Sequence, residues 1–134
     1  QYEKTEANYY LGKLLLELKE YNQAISALEQ VSKQPDAAQK DEANYLISQY
    51  YLSLKDIARA EQFSMAGFQE YTNAYWAAKC GLVYVDTQIE IKKYIKAKIV
   101  LDQLEADFAQ EDGISNEINA RKETLRKIEA NTNK

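Results

Sequence analysis

Histidine is absent from this chain, proline and cysteine occur once each, and glycine occurs four times in 134 residues. Without histidine the chain lacks the commonest general base, the Ser–His and Cys–His nucleophile pairings and most transition-metal donor sets. A single cysteine, Cys80, cannot close an internal disulfide. Its neighbours Ala77, Ala78, Leu82 and Val83 mark it as a small buried hydrophobe rather than a reactive thiol. The glycines Gly12, Gly67, Gly81 and Gly113 stand far apart, so no loop can cradle a phosphate. No apolar run approaches the length that crosses a bilayer. The 17 basic and 21 acidic residues are dispersed and the net charge is −4, which leaves no basic face for nucleic acid. The basic residues at 92–98 straddle an expected turn and read as a solvated turn and helix start. The carboxylates Asp102, Glu105, Asp107, Glu111 and Asp112 lack the ligand spacing of a calcium loop. No enzyme, cofactor or metal site is expected.

Apolar residues make up 46% of the chain, enough for a continuous core, while turn-forming Gly and Pro are scarce. That combination predicts an all-α chain. One stretch organises it: Leu11 and Gly12, then Tyr21, Ala24, Leu28 and Val31, form two amphipathic helices about a polar turn. The pattern recurs at intervals of 36 and 37 residues. Ala24, Ala60 and Ala97 correspond, preceded by Tyr21, Ile57 and Tyr94. Leu11, Ile47 and Tyr84 share a large slot, and Gly12, Ser48 and Val85 the small slot beside it. Leu15 and Tyr51 fill the next core slot, where the third unit has Gln88. Second-helix positions run Leu28, Ser64, Leu101 and then Val31, Gly67, Leu104.

This spacing resembles the tetratricopeptide repeat (TPR), a helical hairpin that cannot bury its apolar stripe alone and stacks on its neighbours. The resemblance implies a right-handed α-α superhelix of three hairpins at about 5–38, 41–74 and 78–111, with a capping helix at about 113–131. An unrelated bundle of helical hairpins is the alternative. First helices are expected at 2–18, 37–53 and from Thr72 or Asn73 to about 91, and second helices to about 33, at 57–69 and at 94–109. Pro35 should end one helix and Asp36 cap the next. The segment 114–130 carries the narrow stripe Ile114, Ile118, Leu125 and Ile128 against an otherwise polar surface, as a capping helix requires. Residues 131–134 are expected to fray.

By the same resemblance, the first helix of each hairpin lines a concave groove that takes a protein or peptide partner. The lining residues carried over are Tyr9, Lys13 and Leu16, then Tyr45, Gln49 and Leu52, then Leu82, Asp86 and Ile89. Glu17, Ser53 and Glu90 flank them. A clamp for chaperone C-termini is disfavoured, because its positions hold Tyr9, Lys13, Leu46, Lys79 and Val83, of which only the lysines carry charge. Long repeats with 14 Lys and 3 Arg resemble bacterial cell-envelope members of the Bacteroidetes type, which implies a periplasmic or envelope setting. The chain starts at Gln1 with neither Met nor signal peptide, the expectation being a C-terminal piece of a longer protein. The rival role is architectural: a spacer, or a homo-oligomer formed through an apolar N-terminal face at Tyr2, Tyr9 and Tyr10.

Overall fold

The computed structural model describes residues 2–132 of the protein and the side chains of residues 3–132. Seven α-helices and no strand occur among them: α1 (Tyr2–Glu17), α2 (Tyr21–Ser32), α3 (Lys40–Ser53), α4 (Ile57–Gln69), α5 (Ala74–Glu90), α6 (Tyr94–Phe108) and α7 (Ile114–Thr132). The chain is all-α. Packing is serial, since α1 pairs with α2, α3 with α4 and α5 with α6, while α2 lies on α3 and α4 on α5. Helix α7 closes the array against α6 and α5.

Three turns join the paired helices in the same way. Lys19, Lys55 and Lys92 adopt left-handed backbone, with φ of 61°, 61° and 63°. In the first turn the Glu20 amide donates to the Leu15 carbonyl (2.9 Å) and the Lys19 amide to Leu16 (3.0 Å). The pairs Asp56 to Tyr51 and Lys55 to Leu52, then Lys93 to Gln88 and Lys92 to Ile89, repeat it. This double bond satisfies carbonyls that a helix end leaves orphaned and reverses the chain within two residues. The turns recur at intervals of 36 and 37 residues, matching the alanine spacing read from the sequence.

Small residues set how closely the helices approach. A Cβ added to Gly12 would sit 2.6 Å from Cγ of Leu28, on the partner helix. Ala24, Ala60 and Ala97 are fully buried. One departure in the second unit has a physical reason: Gly67 lets α4 press against α5, where an added Cβ would run into the Cys80 sulfur. Gln88, in an apolar slot of the other units, is 1% exposed and donates to Glu61 of α4 (2.9 Å) and to Thr87 (3.1 Å). Its buried amide is thereby satisfied. Phe63 stacks on Tyr51 within the second hairpin, and Phe68 of α4 meets Phe108 of α6 between successive hairpins.

Three expectations need correction. Helix α3 begins at Lys40, because the chain after Pro35 forms local turns, Ala37 donating to Gln34 and Lys40 to Ala37. Asp36 stays exposed outside the helix, and Gln39 takes the cap position without a side-chain bond. Leu11 is 47% exposed whereas its counterparts Ile47 and Tyr84 are 0% and 7%, because α2 and α4 cover those helices and no described helix covers α1 on that side. Asn131 and Thr132 continue α7, and Asn133 and Lys134 lie outside the described residues.

Two substitutions test this packing in opposite directions. Gly67→Ala forces a methyl onto Cys80 and should cost about 2 kcal/mol in denaturant unfolding, as overpacking does. Lys92→Gly removes the Cβ from a left-handed residue and should raise stability by about 1 kcal/mol.

Candidate functional site

The first helices of the three hairpins, α1, α3 and α5, share one face, and polar side chains join each to the next along it. Glu42 of α3 is 8% exposed, and carboxylates are buried only when partnered. Its partners come from α1: the Tyr9 hydroxyl donates to Oε1 (2.6 Å) and Lys13 Nζ pairs with Oε2 (2.9 Å). Lys13 also donates to the Tyr9 oxygen (3.1 Å), which closes a triangle. Burial, then the hydrogen bond to Glu42, push the Tyr9 hydroxyl above its ordinary pKa. The bonds to Tyr9 and Glu42 likewise raise the Lys13 ammonium, so both groups keep their protons through neutral pH.

At the far end of the face, Asp86 of α5 takes a two-pronged ion pair from Arg121 of α7, Nε to Oδ1 at 2.8 Å and Nη2 to Oδ2 at 2.9 Å. The third nitrogen of the fork, Nη1, donates to the Glu117 carbonyl (3.1 Å) and its carboxylate (2.9 Å). Burial works against the Arg121 charge, but its hydrogen bonds to Asp86 and the charges of Asp86 and Glu117 hold its pKa up. The hydrogen bond from Arg121 holds the Glu117 carboxyl below its usual range. Such forks combine geometry with charge.

Between these closed ends lies a more open centre. Tyr45 of α3 packs on Trp76 of α5, ring centroids 5.5 Å apart, and Trp76 meets Tyr75 edge-on at 5.0 Å. Lys79 Nζ lies 5.3 Å from the Tyr45 ring and makes no ion pair among the described residues. Gln49 is exposed and donates to the Tyr45 hydroxyl (2.6 Å). Its amide oxygen takes no part in that bond.

Tyr9 and Lys13 come together, as do Tyr45 and Gln49, and Leu16, Leu52 and Ile89 are half-buried on their helices. Leu82 is 2% exposed and belongs to the core, so it offers a partner no surface. Asp86 is committed to Arg121. Glu42, Trp76 and Arg121 were missed. Glu42 and Trp76 carry no motif that separates them from surface residues, and Arg121 lies on α7, outside the repeated pattern.

Groups of three His, Cys, Asp or Glu with metal-binding geometry are absent among the described residues. Burial, then the nearby Asp41 charge, push the Cys80 thiol far up, which removes it as a nucleophile. A hollow of about 390 Å³ lies elsewhere, between α1 and the loop following Pro35, lined by Thr5, Glu6, Gln34 and Asp36 among others. None of the described helices is long and apolar enough to cross a membrane.

Arg121→Met should cost about 2 kcal/mol, the worth of charged hydrogen bonds at a half-buried site, and loosen α7 first by amide exchange. Arg121→Lys should recover only part of that, because an ammonium cannot fork. The Glu117 share has a defined sign: its folded pKa is lowered, so the contribution is present above the ordinary carboxylate range and lost as pH falls through the lowered value.

A scan against protein-family models, a search of the curated proteins and a search of the solved structures each found no match to this chain.

Proposed function

We propose that the chain is a TPR-type right-handed solenoid and works as a non-enzymatic module that binds a protein or peptide on the face shared by α1, α3 and α5. The solenoid reading is supported by the left-handed lysines recurring at the same intervals as the buried alanines. Serial packing with a polar-faced terminal helix fits the same reading. The single observation that carries the binding reading is the centre of the face. Tyr45, Trp76, Lys79 and Gln49 form an aromatic pair with a cation and an amide beside it, set between two ends whose charges are already paired.

The chemistry favours a peptide. Tyr and Trp supply contact area at low entropic cost, and such anchors carry most of the energy of an interface. Lys79 can donate to a carboxylate or a backbone carbonyl, and the remaining oxygen of Gln49 can accept from a peptide N–H. A helical or extended segment with one acidic group beside an apolar anchor matches this set.

The immobilised chain should capture its partner from source lysate, and the Tyr45→Ala/Gln49→Ala/Lys79→Ala variant should lose it while keeping its circular dichroism. Once the partner is identified, titration should show a loss of about 2 kcal/mol or more, as expected for a hot spot. A partner held equally by wild type and variant overturns this site.

A further inference from the structure

The outer face of α1 is apolar and open. Tyr10, Leu11, Leu14 and Leu18 are 61%, 47%, 51% and 61% exposed. With 3.6 residues per turn, Ala7, Leu11, Leu14 and Leu18 fall within about 60° of the helix circumference. That stripe points away from Gly12, which faces Leu28 of α2. The internal repeat says what kind of object such a face meets. Ile47 and Tyr84, which take the place of Leu11 in the next two units, are buried because α2 lies on α3 and α4 on α5. The face is shaped for another helix.

We propose that this helix is α1 of a second copy of the chain, running antiparallel about a two-fold axis level with the Gly12–Lys13 peptide. The steps from Ala7 to Leu11, Leu14 and Leu18 are four, three and four residues, a spacing that reads the same in reverse. A two-fold axis therefore sets Leu11 opposite Leu14 of the second copy, and Ala7 opposite Leu18, small against large. The flanks agree as well. The Tyr10 hydroxyl falls beside Glu17 of the second copy, donor against acceptor, and Asn8 falls beside Leu15, so no like charges oppose. Self-complementarity of this kind is what a two-fold contact requires. The seam runs along 16 residues, about 24 Å at the helical rise. That is shorter than a standard interface, which places the dimer among weak, concentration-dependent ones. At the other end of the molecule α7 presents Asn116, Asn119, Glu123 and Lys127, all exposed, so the contact closes as a pair and does not propagate. This association is independent of the groove, which lies on a different side of α1.

Sedimentation of the whole chain over a concentration series reads the proposal. The wild type should pass from monomer to dimer at micromolar to submillimolar concentration. Leu11→Glu, at an exposed site that the fold tolerates, should raise the midpoint about tenfold or more. Tyr10→Glu sets a carboxylate against Glu17 and should weaken the dimer severalfold, and Tyr10→Glu/Glu17→Lys should restore it. Circular dichroism of each variant should match wild type. A wild type that stays monomeric at submillimolar concentration overturns the proposal, also where a synthetic α4 peptide binds the α1 face and assigns it to a foreign helix. A dimer indifferent to Leu11→Glu, or a Tyr10→Glu defect that Glu17→Lys leaves unrepaired, overturns it equally.

Discussion

Close approach between helices at a few side-chain-poor positions governs everything else in this molecule. Where α1 meets α2 there is no room for a methyl at Gly12, and where α4 meets α5 there is none at Gly67. With the backbones held that near, Leu28, Val31, Ile47, Leu101 and Leu104 fill the remaining space and are excluded from water. Burial of such side chains contributes about 1.5–3 kcal/mol each before chain entropy is counted. Widening any of these contacts would separate apolar layers that have no other way to stay dry. The chain has neither a disulfide nor a described metal cluster to compensate.

The spacing also decides what the shared face of α1, α3 and α5 can be. Held at a fixed interval, the helices bring Tyr9 and Lys13 to Glu42, Tyr45 to Trp76 and Asp86 to Arg121. Much of the polar capacity on this face is thus spent on holding neighbouring helices in register. The division is uneven: the ends hold charges paired between helices, while the Lys79 ammonium at the centre lies over the Tyr45 ring and makes no ion pair among the described residues. The buried Asp41 plays an equivalent part between α3 and the start of α5. One of its oxygens accepts from the amides of Thr72 (2.6 Å) and Asn73 (2.7 Å), fixing the entry into α5.

Helix positions were largely legible from periodicity, because an amphipathic stripe and a repeat interval are both written locally. The late start of α3 was not, since the turns after Pro35 share the composition of a helix and differ only in hydrogen-bond register. The pattern gives Leu11 a core position, yet its exposure depends on what lies beside α1, which no residue of the hairpin encodes. The site was legible in part. Tyr9 lies beside Lys13 and Tyr45 beside Gln49, as their four-residue spacing on a helix requires. Leu82 sits at the same angle but under α5's neighbours, and Glu42, Trp76 and Arg121 gain their meaning from partners more than thirty residues away. Angle is local information; cover is not.

Trp76 is the chain's one tryptophan, and it sits on the seam between α3 and α5. Eleven tyrosines surround it in sequence, of which Tyr45 and Tyr75 lie within van der Waals reach of its ring. The protein therefore carries a built-in optical gauge at one point along its length. Energy passed from Tyr45 to Trp76 reports whether the second and third hairpins are in register. Emission from this one indole distinguishes melting that starts at the middle of the array from melting that starts at its first hairpin.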